Sequence, residues 1–446
     1  MTGAMYAGIA GLKTHMQNLN VIGNNIANIN TDGYKAGRSV FQTALYTQVR
    51  GGSDGSTTTG ARTPAQLGYG VALGTVDIDM STGSYKPTGK TTDCMLDGDG
   101  FLLMGDKTVA GMIDPADPNT FTALTLSRTG DIEFKSDGYL ANRNGDVVYG
   151  FLCVGTYTEA NLAGAPAGTK AGDPMFSDQL VPIRLPGMVE VFVDKNGNEV
   201  MQTGVDQTTG KPTYSTIKYE NGKPVADTEL SEEEAAKVTS TKKVRYPTAF
   251  AGATPKDPRP VTGTGADAKP ALAETLKDAV DENGEVLPFA QFDTISFDEK
   301  TGLISGTTKD TDQRVIIGMF AIGNVTNPNG VTQVSATQYK AGAGSGDLTI
   351  TTLGNAGKDV GIEYVNGSLY EARRAVDNTL PAELGDRARV NSAGSTSLIT
   401  GGLEMSKTDL ATEIANMITT QRGYQANTRI ITVTDSMLEE LVNMKR

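Results

Sequence analysis

Residues 403–444 read LEMSKTDLATEIANMITTQRGYQANTRIITVTDSMLEELVNM. Leu403, Leu410, Met417, Tyr424, Ile431 and Leu438 recur at every seventh position without a break. Ile414, Ile418, Ile430, Met437, Leu441, Val442 and Met444 widen the apolar stripe. A repeat of seven holds side chains on one slowly drifting helix face, the pattern of a coiled-coil seam. Gly401-Gly402 precedes the run and no proline follows it. The spacing predicts a helix over about 403–444, roughly 60 Å long at 1.5 Å per residue. Its seam is expected to include Met417, with Thr420 on a less buried face. A helix of this kind cannot bury its stripe alone and needs a partner.

The obvious candidate is at the other end of the chain. Ile9, Leu12, Met16, Leu19, Gly23 and Ile26 alternate at spacings of three and four. That is a second seam, on a helix of roughly 25 residues. Asn28-Ile29-Asn30-Thr31-Asp32-Gly33 ends it, because Asn, Asp and Gly favour caps and turns. With two seams so far apart in sequence, their partners include each other and, by expectation, other chains.

Between the ends the pattern is β. Asn-Gly dipeptides begin at Asn144, Asn196, Asn221, Asn283, Asn329 and Asn366, and Asp-Gly at Asp97, Asp99 and Asp137. These are hairpin signals, since type I′ turns need positive φ at both central residues. Two short helices are expected. One is Ser231–Val238, opened by Ser231 and Glu234 as a capping box. The other is Pro270–Val280, with Leu272, Leu276 and Val280 at spacing four. Gly51–Thr63 and Ala251–Lys269 have linker composition. The expected fold is mixed α and β and multidomain: long terminal helices forming a coiled-coil-like pair around nested β-rich middle domains. The expected domains are 1–35 with 400–446 (helical, polymerising), 36–75 (connecting), 76–150 with 311–395 (inner β) and 151–310 (outer β).

Composition excludes several function classes. The net charge of −13 repels phosphate backbones, so no nucleic-acid partner is expected. Lys242-Lys243-Val244-Arg245 is too short for a binding patch and is expected to be a solvated turn or strand edge. One histidine, His15, and two cysteines, Cys94 and Cys153, cannot build a zinc site, and neither a metal nor a cofactor is expected. The cysteines permit one disulfide without implying it and are read as small hydrophobes in strands. No Ser-His-Asp or Cys-His arrangement emerges, so the chain is not read as an enzyme. Gly98-Asp99-Gly100 and Gly342–Gly346 are read as turns, because neither completes a phosphate loop. Asp194–Asn198 has its glycine misplaced for a calcium loop and is read as a hairpin turn. No signal-peptide pattern and no run of 18 apolar residues is present, so no membrane span is expected.

Both ends carry a family resemblance. Asn24-Asn25-Ile26-Ala27-Asn28-Ile29-Asn30-Thr31-Asp32-Gly33-Tyr34-Lys35 resembles the N-terminal signature of the flagellar rod–hook axial proteins. Glu404-Met405-Ser406 and the stretch around Gln421, Arg422, Gln425, Ala426 and Asn427 resemble their C-terminal signature. Members usually carry alanine where Gly423 stands, and the glycine weakens the helix by about 1 kcal/mol. Asp97–Phe101, Leu126–Asp131 and Asp137–Leu140 are similar to the family's inner β-domain, and Asn327–Val331 to the return of the chain into it. The resemblance implies a hook subunit that polymerises with itself into a tube lined by terminal helices. It further implies location in the extracellular flagellum and type III export without a cleaved signal. Implied partners are the rod, hook cap, hook–filament junction proteins and export apparatus. Rod proteins share these signatures but are shorter. A distal-rod protein is therefore the alternative, and a secreted adhesin a more distant one.

Overall fold

The computed structural model describes residues 2–52, 54, 60–107, 124–157, 171–177, 180–207, 209–220, 223–250, 261–262, 269–270, 273–279, 286–346, 348–353, 362–365, 368–371 and 396–444. Helices stand at both ends and the middle is β-rich. The chain divides into two compact units, Met1–Ser84 with Met405–Arg446, and Tyr85–Glu404.

The first unit contains a helix over Thr2–Ala27, a small set of strands and a helix over Leu410–Met444. Residues 36–75 are not a plain connector. Gly37–Thr43 pairs antiparallel with Val71–Ile78, and Tyr46–Arg50 pairs with Ala65–Gly68. β-branched and aromatic residues such as Val40, Phe41, Tyr46 and Val49 suit pleated backbone, whatever the Gly/Ser/Thr content beside them.

The second helix is shorter than the seven-residue repeat predicts, because Leu403 lies outside it. Leu403 belongs to a strand, Gly402–Glu404, that pairs with Tyr85–Pro87, and it is buried there. The helix begins where Asp409 caps it. Asp409 Oδ1 accepts from the Ala411 N–H at 3.1 Å and Oδ2 from the Thr412 hydroxyl at 2.6 Å. An N-cap carboxylate satisfies amides that have no partner within the helix.

The second unit is built on a thirteen-stranded sheet. Its long path runs Phe292–Phe297, Leu303–Thr308, Arg314–Val325, Val147–Thr156, Phe101–Gly105, Thr125–Ser127, Gln338–Lys340, Thr332–Gln333. Val147–Thr156 is a continuous apolar run, buried from Val147 to Gly155, as expected of a strand covered on both faces. Leu102, Met104, Val148, Ile183, Ile304, Ile317, Phe320, Ile322, Leu353 and Leu398 form the core. Phe297 meets Phe320 edge-on at 5.0 Å. The outgoing and returning chain lie side by side, since Ser397–Thr400 pairs with Cys94–Asp97. A separate five-stranded antiparallel sheet is inserted, in the order Lys223–Glu229, Pro212–Glu220, Glu199–Val205, Gly187–Val193, Thr239–Arg245.

The domain boundaries therefore differ from 76–150, 151–310 and 311–395. Val147–Thr156 crosses the first cut, and Phe292–Phe297 and Leu303–Thr308 belong to the main sheet. Turn density marks hairpins and cannot tell which sheet a hairpin joins. We expect a fragment 151–310 to aggregate or melt without cooperativity, because it carries half of a buried strand. Residues 85–404 alone should give a β-type circular dichroism spectrum and a cooperative transition. A cooperative melt of 151–310 would mean that the inserted sheet holds its neighbours without the main one.

Smaller expectations fared unevenly. Gly98, Gly100, Gly138, Gly145 and Gly197 all have positive φ, as their turns require. Asn329-Gly330 instead lies in a short 3-10 turn over Pro328–Gly330, capped by Asn327 accepting from the Asn329 N–H at 3.2 Å. Asp194 Oδ1 accepts from the Asn196 and Asn198 amides at 2.8 and 2.9 Å, an ordinary Asx turn. The helix at 231–238 is only Glu232–Ala235, where the Ser231 hydroxyl bonds the Glu234 carboxylate at 2.8 Å. The helix expected over 270–280 is contradicted: Ala273–Lys277 is a strand paired with Thr248–Phe250. Apolar residues at spacing four in so short a run do not settle the period. Leu272 and Val280, the turns at Asn221, Asn283 and Asn366, and most of Ala251–Lys269 lie outside the described residues.

The basic cluster is a strand edge tied down by acids. Lys242 pairs with Asp310 at 3.2 Å, Lys243 with Glu199 at 3.4 Å, and Arg245 also with Glu199. Cys94 and Cys153 are free and buried in strands, where desolvation pushes both thiols up to about 12. Among the described residues no helix is long and apolar enough to cross a membrane.

Candidate assembly site at the chain ends

The two terminal helices pack side by side and antiparallel. Asn18 Nδ2 donates to the Thr420 hydroxyl at 2.8 Å, and Asn25 Nδ2 to Glu413 Oε1 at 3.3 Å. Further along, the side chains of Asn427 and Ile431 lie beside Gly11 and Gly8, and the His15 ring lies beside Gly423. Small residues let the backbones approach, and the amides hydrogen-bond across the gap.

The C-terminal column at intervals of seven is half of this seam. Met417, Ile431 and Leu438 are partly buried, while Leu410, Ile414 and Tyr424 are exposed. The other half is polar. Glu413, Thr420, Asn427 and Thr434 also recur every seventh residue, and Thr420 and Thr434 are the buried residues of this helix. Thr420 is 6% exposed, so its face is not the less buried one. The apolar repeat does not include these residues. A seven-residue repeat of polar residues was the available signal.

On the N-terminal helix the expected seam is displaced by one residue. Ile9 and Met16 are 48% and 50% exposed, and Leu12, Leu19 and Ile26 are partly buried. The face toward the partner helix carries Gly8, Gly11, His15, Asn18 and Asn25. One residue turns a side chain by about 100° around a helix. The helix also packs on the strands beneath it. The Thr14 hydroxyl bonds the Val71 carbonyl at 3.1 Å, and the His15 ring meets Phe41 edge-on at 6.0 Å.

The N-terminal motif residues close the turn after this helix. Asn25 is 1% exposed. Its Oδ1 accepts from the Gly37 N–H and the Tyr34 hydroxyl, both at 3.0 Å, and its Nδ2 donates to the Gly37 carbonyl at 2.8 Å. An amide side chain offers donor and acceptor together, so Asn25 imitates a strand partner for Gly37. Asn24 Nδ2 donates to the Tyr34 hydroxyl at 3.2 Å, and Asn28 Nδ2 to the Asn24 carbonyl at 2.9 Å. Ala27 is the last helical residue, and Gly33 supplies φ +75° for the reversal. Lys35 is buried, with Nζ on the Ser81 carbonyl at 2.7 Å. On the C-terminal helix, Gln421, Arg422, Gln425 and Ala426 are exposed, whereas Asn427 Nδ2 donates to the Gly423 carbonyl at 3.0 Å.

Two carboxyls at this site titrate in opposite senses. Burial raises Glu413, reinforced by Asp409, and the Asn25 bond opposes it only in part. Burial also acts on Asp79, but bonds from Ser81 and the charge of Lys407, 3.3 Å away, hold it below its ordinary value. A raised acid binds its proton more tightly when folded, so this unit should gain stability as pH falls toward the ordinary glutamate value of 4.5. A depressed acid does the reverse, so stability should be lost below the ordinary aspartate value of 3.8. Glu413→Gln should abolish the upper limb and change stability by below about 1 kcal/mol, since the site is partly solvated. Amide exchange at Asn25 and Gly37 against pH reads both limbs; an unchanged upper limb in Glu413→Gln would assign it elsewhere.

Comparison with known proteins places these ends. The family described as "Flagella basal body rod protein" matches residues 5–35, and "Flagellar basal body rod FlgEFG protein C-terminal" matches residues 399–444. The chain is 25% identical to the flagellar hook protein FlgE of Borreliella burgdorferi, with 100% of each covered. It is 24% identical to that of Treponema pallidum, again covering 100% of each. It is 36% identical to the flagellar basal-body rod protein FlgG of Bacillus subtilis, over 33% of this chain and 54% of that one. Both ends match flagellar rod and hook family models and the similarity to hook proteins runs from end to end, so the chain is a homologue of the flagellar hook proteins.

Proposed function

We propose that this chain is the structural subunit of a bacterial flagellar hook, a self-assembled flexible tube passing torque from rod to filament. The observation that carries the assembly mechanism is what the helix pair leaves uncovered. Its mutual seam takes up small and polar residues and only part of the apolar column, Met417, Ile431 and Leu438. Large apolar side chains point outward instead: Ile9 and Met16 on one helix, Ile414, Ile418, Val433 and Met437 on the other, each 43% exposed or more. Contiguous exposed apolar surface marks an interaction site. In a homopolymer the cover is another copy, and the two helices act as one coiled-coil-like building block. Rod, cap, junction and export apparatus are the further partners of this reading, with export through the flagellar apparatus and no cleaved signal. Its role is structural rather than catalytic.

The rod protein of Bacillus subtilis is the more identical relative, though over a third of this chain. That favours a distal-rod role as the second reading. Electron microscopy of basal bodies from a strain lacking the chain separates the two. Rods that end without hooks are expected. Truncated rods would support the second reading, and normal hooks would refute both.

A further inference from the structure

Gly423 stands in the middle of a long helix, where glycine is the poorest residue short of proline. The geometry around it supplies a reason. A Cβ at this position would lie 2.7 Å from His15 Cε1 and 2.9 Å from Nε2. Heavy atoms do not approach this closely without a bond, so the ring or the helix would have to move. The ring has little room. Phe41 stands edge-on to it, and Nδ1 is buried without a hydrogen-bond partner. One turn further along, the arrangement is reciprocal. A Cβ at Gly11 would lie 2.7 Å from Asn427 Nδ2, which is held by its bond to the Gly423 carbonyl. Each helix thus places a polar side chain over a glycine of the other, and Asn427 ties the two contacts together.

We propose that His15 with Gly423, supported by Asn427 with Gly11, forms a steric key that sets the register of the two terminal helices. This rests on the hook-subunit reading and deepens it by specifying how one chain's two ends recognise each other. A shift by one helical turn places His15 against a residue that has a side chain, and the fit is lost. The key thereby selects one register from the several that a seven-residue repeat alone would permit. It also sets which outer apolar residues line up for the neighbouring copy.

The test turns on sign. Helix propensity alone makes Gly423→Ala favourable by roughly fivefold in the folding equilibrium of this segment. The key makes it unfavourable, and removal of the ring should cancel the penalty. Register is read in the full-length chain by disulfide trapping with Asn18→Cys and Thr420→Cys, whose parent side chains touch. The native cysteines are buried and stay silent. The double-cysteine chain should cross-link readily. Gly423→Ala should slow this by at least about tenfold, and adding His15→Ala should restore it to within about threefold, the behaviour of a coupled pair. A Gly423→Ala chain that cross-links as fast as its parent overturns the key. A parent that fails to cross-link overturns the register on which the key rests. The same substitutions, scored by hooks on cells, connect the key to assembly: loss in Gly423→Ala with rescue in the double variant supports it, and normal hooks in Gly423→Ala confine the key to the isolated chain and overturn its assembly role. Trapping needs no polymer, so a failure of the hook reading in the deletion strain is seen separately.

Discussion

Arg128→Met is expected to destabilise the 85–404 unit by about 3–5 kcal/mol, the usual cost of breaking a buried charge cluster from one side. Arg128 is 2% exposed, lies 5.4 Å from the Phe101 ring and donates through Nη1 to the Leu96 carbonyl at 3.4 Å. Burial depresses the guanidinium, and the carboxylates of Glu404, Asp99 and Asp97 push it back up. Glu404 is itself 1% exposed and sits on the last strand before the C-terminal helix. Methionine keeps most of the volume and removes the cation, leaving Glu404 in a dry site. Replacing both charges should recover most of the loss, because a neutral, well-packed pair carries no desolvation cost. Urea midpoints of Arg128→Met and of Arg128→Met with Glu404→Gln measure this on residues 85–404. A loss below about 1 kcal/mol for the single change would mean that the strand is held by backbone pairing alone.

This cluster shows where the sequence was readable and where it was not. Leu403 continues a seven-residue column in perfect step, yet the column changes structure between Leu403 and Leu410. The helix starts at its cap, Asp409, and a cap is a local hydrogen-bonding fact to which hydrophobic period is blind. On the N-terminal helix the period was right and the phase was wrong by one residue. Phase follows the partner, and here the partner prefers glycine and amide to leucine. The β-character of the middle was legible in its Asn-Gly and Asp-Gly turns. Its partition into sheets was not, because Val147–Thr156 and Arg314–Val325 pair across a long separation in sequence. At the ends, the motif Asn24 to Lys35 was visible as a signature, but the pairing of Asn25 with the Gly37 backbone appears only in the folded chain.

The same phase shift sharpens the final prediction. A charge on the Met417 side of the helix pair would disturb assembly and the chain's own seam together. Met16 separates the two. It is 50% exposed in the chain, so an aspartate there stays solvated and should leave the monomer's spectrum and melting point nearly unchanged. If a second copy covers this stripe, the same aspartate is buried unpaired in every subunit of the tube, at a cost of several kcal/mol each. At 1.4 kcal/mol per factor of ten, the critical concentration for assembly should rise by more than about a hundredfold. Met16→Asp should therefore give exported, folded subunits and no hooks, while Met16→Leu, which keeps the apolar contact, should swim normally. Light scattering of the purified chains and hook counts on cells read the two arms. Hooks of normal length in Met16→Asp would show that the exposed stripe is not the surface through which copies meet, and assembly would then have to run through the strands of residues 37–78.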